Sequence, residues 1–433
     1  MTGTVNANRN MFRPQVPSNN ISLALPGITE EARDTVADLL LKNHVEYHCF
    51  FNEKKFHNHL SHGVLAAYSL GAKPDRIQTI YRDHASYQRP VGSVLTTFTE
   101  SDWKSQLGNG EYYASYLEFF HKEVAKLGRN DAFIKYALDP DMISRSFSGA
   151  FHPLIHMGYG FDFEVDGILV EGLAMAALSS GLMANVIVRP MSSIEKVTSK
   201  VATQLSLTKS SNEPKTIVDM LTSIREDHDL DDVCPFSQPD KTAHGAKNEK
   251  AINKIQQCLA AWDVEETKEG VAAKSIELYK ACVLALGATG LKFGQVKQDF
   301  FLMHAVTSVL FTHKIANSLP PSYAVSVMKS HLGVVLMYYI SHGRAKIDVD
   351  ALLNYKGKQE LNASNPWLSL IQRAIDIDEV HVTKVVRACA FGDLLFGAED
   401  SFSQICAKTA EVALDLKGDW DFEGVGYDEI YQK

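Results

Sequence analysis

At 433 residues the chain is longer than a typical single domain, and its 45% hydrophobic and 22% charged residues are those of a protein that folds by burying a core, which excludes a disordered or fibrous chain. A formal charge of −9 arises from 43 basic and 52 acidic residues with no Lys or Arg block, so the electrostatic footprint of a nucleic-acid or anionic-membrane binder is missing. The six cysteines, Cys49, Cys234, Cys258, Cys282, Cys389 and Cys406, stand far apart without a Cys-x-x-Cys pair and read as free thiols of a reducing, cytoplasmic compartment.

Residues 1–28 open on an Asn-, Thr- and Pro-rich stretch without the basic-then-apolar run of a secretory signal, and they read as a flexible N-terminal arm. From residue 29 onward apolar residues recur at spacings of three and four, the period of an amphipathic helix rather than of a strand. The spacing predicts helices over 29–42, 56–71, 111–127, 141–156 and 169–182, then over 249–262, 272–286, 298–317, 323–341, 366–376, 378–396 and 401–415. Between these groups, 190–214 and 227–250 carry prolines and polar or acidic residues and read as surface loops. The most apolar run of the second half, 333–340, is shorter than the roughly 20 residues a bilayer span needs, so no membrane attachment is expected. The expected fold is all-α: one large multi-helix body over 29–433 with a central metal site and a loop-rich insertion at about 190–250. Nothing in the pattern fixes an oligomeric state.

Sixteen histidines would mean little if scattered, but several recur at one-turn spacing inside predicted helices. His59 and His62 are three apart and His152 and His156 four apart, so each pair shares a face and can turn two imidazoles toward one ion. Imidazole suits that task because one neutral nitrogen donates to Fe, Zn, Cu or Ni while the other is anchored by an acceptor behind it. Either pair alone reads more readily as a hydrogen-bonded helix feature, and Pro153 fits a helix only in its first turn. His304 stands in a helix that is apolar nearly all round, so it should be buried and in need of a partner. His313, beside Lys314, is expected to face solvent.

His381 and Lys384, three apart among Val, Ala and Cys, share a helix face. A lysine there ordinarily reaches for solvent or pairs with an acid. An ammonium has three donors and no lone pair; to be a ligand, Lys384 must first lose its proton and gain a carboxylate, as a carbamate formed with CO2. Downstream of the His152 pair, Glu171 suits a ligand, acid-base or capping role. Tyr68, Tyr159, Phe151 and Phe301 are candidates for lining a substrate pocket and equally for packing. The run from Gly158 to Phe163 fails the Gly-x-Gly-x-x-Gly pattern and follows no strand, and there is no Walker loop, nucleophile elbow or His-Glu-x-x-His, so no dinucleotide site is expected.

Taken together and in order, Asn58-His59-Leu60-Ser61-His62 with Leu70-Gly71-Ala72, Phe151-His152-Pro153-Leu154-Ile155-His156, Met303-His304-Ala305-Val306-Thr307, the stretch from Glu379 to Ala388 and the ending from Gly418 to Tyr427 resemble the questin oxidase-like family over nearly the whole chain. Three positions depart from its pattern: Gly63 stands where relatives often carry a second histidine, Val380 separates Glu379 from His381, and Tyr427 replaces a common tryptophan. The resemblance implies a helical oxygenase of secondary metabolism that uses O2 on aromatic polyketides, anthraquinones in particular, by Baeyer–Villiger-type oxygen insertion or by dioxygenase ring opening. It also implies Fe(II), as a non-haem iron held by four histidines and a carboxylated lysine. Carried over, Lys384 takes the lysine role beside His304 and His381. His156 is preferred to His152, which Pro153 puts at a helix edge, and between His59 and His62 the residues do not decide. His152, Glu171, Tyr159 and Tyr68 are then expected behind the metal or in the pocket. Some members are described as NADPH-dependent, which here requires an external electron supply.

Two rivals use the same residues. A hydrolase could hold zinc with the same histidines and the carbamate, and a non-catalytic helical scaffold could carry the histidines incidentally. Metal content separates the three.

Overall fold

The computed structural model describes residues 7–15, 21–190, 216–361, 364–396 and 401–432. Among them helices dominate, and the strands are confined to one two-residue antiparallel hairpin, Leu291–Lys292 with Gln295–Val296. One continuous apolar core draws on nearly every long helix, which makes the chain a single body, and a small second cluster of Ala345, Val425, Ile430 and Tyr431 fastens the C-terminal segment.

Local chemistry explains where the helices begin. Thr29 caps Glu30–Glu46 by accepting from the Ala32 amide, Asp299 caps Phe300–Ser318 by accepting from Phe301 and Leu302, and Asn365 with Pro366 starts Pro366–Asp376. The helices from Lys268–Gly287 through Pro321–Ser341 and Val380–Phe396 to Phe402–Leu416 match the expected second half to within a few residues. Pro321–Ser341 is long and apolar enough to cross a bilayer, with 89% of its apolar window buried inside the body; the run read at 333–340 is only its C-terminal part.

Four expectations change. The helix expected over 56–71 spans only Leu60–Ser69, because residues 56–59 form an irregular segment in which His57 bridges to Phe50. The helix expected over 141–156 is broken: Ile143–Ser146 ends, Gly149, Ala150 and Phe151 take left-handed φ values of 55°, 53° and 62°, and a new helix, His152–Asp162, begins. Pro74–Ala85 is a helix that the apolar spacing did not reveal. Within the expected loop insertion, Ile217–Glu226 and Lys241–Gly245 are helical, while 191–215 lie outside the described residues.

The described part of the expected N-terminal arm is docked. Phe12 is fully buried, its ring 4.8 Å from that of His44, and Ser22 donates from its amide and hydroxyl to the carboxylate of Asp162. Asp162 also pairs with buried Arg387, tying the His152 helix to the His381 helix. A buried pair of this kind is a poor source of net stability but a strong constraint on how two helices sit.

Candidate metal centre

Irregular backbone aims the histidines. His59 is the cap residue of Leu60–Ser69, His152 is the first residue of its helix, and His381 is the second residue of Val380–Phe396. Pro153 lies in the first turn, where its missing N–H costs nothing. Two non-glycine residues, Ala150 and Phe151, hold left-handed backbone just before His152, a strained arrangement that sets the direction of its ring.

Three rings are anchored alike. His152 Nδ1 donates to the Gly149 carbonyl at 2.6 Å, His304 Nδ1 to the Phe300 carbonyl at 2.8 Å, and His381 Nδ1 to Glu379 Oε1 at 2.6 Å. Each anchor fixes the tautomer that leaves Nε2 as a lone pair. The rings converge: centroids of His152 and His304 are 4.7 Å apart, of His304 and His381 5.1 Å, and of His59 and His381 4.6 Å. His59 Nε2 sits 2.8 Å from His152 Nε2, and ligand nitrogens of His59, His152 and His381 all lie within 4.8 Å of one another.

What these atoms lack shows whether a cation fits. His304 Nε2, His381 Nε2 and Lys384 Nζ are buried and find no hydrogen-bond partner among the described residues. An unsatisfied buried group costs about 1–3 kcal/mol, so three in one place are costly unless something binds them. Nitrogen donors of this kind suit a borderline transition metal, and the residues therefore fit one. Burial holds the pKa values of His59, His152 and His304 well below the usual imidazole range and lowers that of His381, so all are neutral donors. Burial brings the Lys384 amine down to about 7 against the opposing pull of Glu379, leaving much of it uncharged at neutral pH.

The pairs resolve differently from expectation. The preferred His156 turns away: its Nε2 donates to Glu171 Oε2 at 2.7 Å and its Nδ1 accepts from His62 Nε2 at 3.0 Å, so both nitrogens are spent, and His152 faces the cluster instead. His62 likewise belongs with His156, while His59 joins the cluster. Glu171 also accepts from His44 Nδ1 at 2.9 Å, and His44 Nε2 lies 2.8 Å from His121 Nε2. Burial alone would raise the Glu171 pKa, but the hydrogen bonds from His156 and His44 outweigh it and hold it at about 2. An ionised Glu171 thus sets His156, and through it His62, in one tautomer, leaving His62 Nδ1 as a buried lone pair without a partner among the described residues.

Around these groups, Tyr159 stacks on His62 at 5.2 Å, whereas Tyr68 packs on Phe163 at 6.2 Å rather than against the cluster. Phe151 stacks on His331 at 4.6 Å. His313 does not face solvent; it is half-buried, with Nδ1 3.0 Å from Ser275 Oγ, and burial lowers its pKa to about 4. Sequence reasoning missed His57, which stacks flat on His152 at 3.9 Å and 1°, and missed Glu379, His44, His121 and Phe300 as supporting groups. The signal for His57 was present in the His57-Asn58-His59 run, but alternate residues on a presumed helix point apart. Two departures from the family pattern touch: a Cβ on Gly63 would lie 2.8 Å from Val380 Cγ1.

The cluster is covered rather than open. Phe300 packs edge-on to His304 at 4.5 Å and 5.7 Å from His381, and its ring stacks on Phe422 at 4.2 Å. Beside it a cavity of about 90 Å³ is lined by Phe301, His342, Lys241 and Phe422. A larger hollow of about 540 Å³, bordered by Arg344, Lys292 and Gly426, touches none of the cluster residues.

A model of the questin oxidase-like family matches residues 56–389, a span that contains every histidine of the cluster and Lys384. The chain is similar to a Baeyer-Villiger monooxygenase, dmxR6, of Cryptosporiopsis sp. (strain 8999), at 26% identity over 87% of this chain and 85% of that protein. It is similar to a Baeyer-Villiger oxidase, GME11358, of Pestalotiopsis microspora, at 27% identity over 91% and 87%, and to a questin oxidase of Aspergillus terreus, at 24% identity over 90% and 90%.

Proposed function

The chain belongs to the questin oxidase-like family, and on that premise we propose that it is an oxygenase of secondary metabolism, using O2 at a non-haem iron to cleave, or insert oxygen into, an anthraquinone-type polyketide. One observation carries the iron: imidazole nitrogens of partly exposed His59 and buried His152, His304 and His381 converge beside the buried Lys384 amine, several without a partner among the described residues. Iron, when bound there, supplies the redox chemistry toward O2 and orients the substrate.

The protein's own groups have definite tasks in this reading. Gly149, Phe300 and Glu379 hold the Nδ1 protons of His152, His304 and His381, which keeps three Nε2 lone pairs available before metal arrives. Lys384, about half uncharged near pH 7, adds its amine lone pair to CO2; an N–C bond forms as one C=O π pair moves onto oxygen, the nitrogen releases one proton, and the resulting carbamate has oxygens that can ligate. His62 Nδ1 is placed to accept a proton, with the resulting imidazolium shared through His156 to the ionised Glu171, the logic by which a buried carboxylate supports a histidine base. Phe300 excludes water from the cluster on the side of Phe422.

The names of the relatives favour a second reading, a Baeyer–Villiger-type monooxygenase; on the same substrate class, that chemistry would draw on NADPH as an external reductant. Metal analysis of anaerobically purified protein, with O2 and NADPH consumption measured on a hydroxyanthraquinone, tests both. Iron near one per chain with ring cleavage in the absence of NADPH is the expected result. Product formation that requires NADPH shifts the reading to the monooxygenase, and stoichiometric zinc without iron overturns the redox assignment.

A further inference from the structure

Two aromatic rings follow one another outward from His304 and His381: Phe300 packs on both imidazoles, and Phe422 stacks on Phe300. Phe422 is 59% exposed, which forgoes most of the gain from burying a phenylalanine, yet it stacks on Phe300 at 4.2 Å and 26°. Phe300 in turn covers His304 and His381. Single exposed apolar side chains are ordinary, and Phe293 is no less exposed than Phe422; what sets Phe422 apart is its stack on the ring that covers His304 and His381.

The backbone under Phe422 is pinned, while its ring is held on one face, by Phe300, and is more than half exposed. Asp421 exchanges main-chain hydrogen bonds with Gln298 and Phe300, each at 2.8 Å, and its side chain accepts from the Glu423 and Gly424 amides at 2.9 and 2.8 Å. Gly424, at φ 110°, lies so close to His342 that a Cβ would stand 2.8 Å from its backbone, and Glu423 pairs with buried Lys241 at 2.6 Å. The loop is therefore a fixed mount for one half-exposed aromatic ring.

The adjoining cavity of about 90 Å³ runs from Phe422 to Phe301 and His342. Small-molecule sites usually measure about 300–1,000 Å³, so a polycyclic guest needs room that turning the Phe422 ring supplies. We propose that Phe422 and Phe300 form a stacking portal, in which Phe422 turns aside to admit a planar polycyclic aromatic and then lies against its face, making Phe422 a residue that selects flat, multi-ring substrates. This rests on the substrate class proposed above. Offset stacking between aromatic faces is sequence-independent chemistry that rewards ring area, so a three-ring guest gains more from Phe422 than a single ring does.

The probe is danthron, a dihydroxyanthraquinone, titrated into the metal-loaded protein and followed by its absorbance, with phenol as the single-ring comparison. Phe422→Ala should raise the danthron Kd about tenfold, the size of one good stacking contact, and change the phenol Kd by less than about twofold. Phe422→Trp should restore danthron binding, and Phe293→Ala, which removes another exposed ring, should leave it unchanged. Metal content should be the same in all three variants. Equal danthron affinity in the parent and in Phe422→Ala overturns the portal while sparing the substrate reading. A parent protein that does not bind danthron overturns the substrate reading, and the portal with it.

Discussion

His304 and His381 each spend Nδ1 on an anchor and have Nε2 left over, and His152 spends Nδ1 on Gly149 and turns Nε2 toward His59 inside the cluster, whereas His156 and His44, in the same interior, spend both nitrogens on partners outside it. The two sets share a residue type and deep burial but differ in where the chain delivers them. The first comes mainly from helix starts and left-handed backbone, the second from helix bodies around Glu171. A surplus of lone pairs marks where a cation belongs; a closed hydrogen-bond account marks the support behind it.

The largest effect that could break this contrast is at the first set. Lys384→Met, His304→Ala and His152→Ala should each lower metal affinity by more than about a hundredfold, beyond the 10–100-fold typical of supporting groups, while His156→Ala should keep the metal. Metal content after gel filtration reads this directly, and His156→Ala losing metal as His152→Ala does would dissolve the distinction. The metal-free Lys384→Met protein should also be more stable than the metal-free parent, by about 1–3 kcal/mol in urea unfolding, because a buried unpaired amine becomes a methyl group.

A smaller effect sharpens the second set. Glu171→Gln turns one accepting oxygen into an amide facing an imidazole N–H, which should cost about 1–3 kcal/mol of stability and slow turnover with the iron retained. Iron loss in Glu171→Gln would mean that the two sets act as one.

The smallest concerns acid. Burial, and then the neighbouring His44, lower the His121 pKa to about 4, below the 6.5 of a free imidazole. The unfolded chain therefore binds a proton between pH 6.5 and 4 that the folded chain refuses, and the stability present above pH 6.5 is lost as pH falls through 4. His121 is partly exposed, so the loss is about 2 kcal/mol rather than the full value of the shift. His121→Gln should flatten that acid limb in thermal unfolding measured against pH.

The helical class, the core helices and the identity of the chemistry-bearing segments were legible because the apolar period and the motif order are local properties of the chain. The choice within each histidine pair was not. His152 and His156 lie on one face of an uninterrupted helix, and only the left-handed residues 149–151, which no spacing rule reveals, turn His152 toward His59. His57 and Glu379 were misjudged for the same reason, since a helical reading sends neighbours two apart to opposite sides while the actual segments are extended or sit at a helix start.

Composition and periodicity determined a helical core rich in imidazoles, and the motifs carried the family. Tertiary structure alone decided which nitrogens are left without partners, because that depends on where the backbone bends and on which acceptors fold against each ring: the left-handed turn that sets Gly149 under His152, and Glu171 brought to His156 and His44.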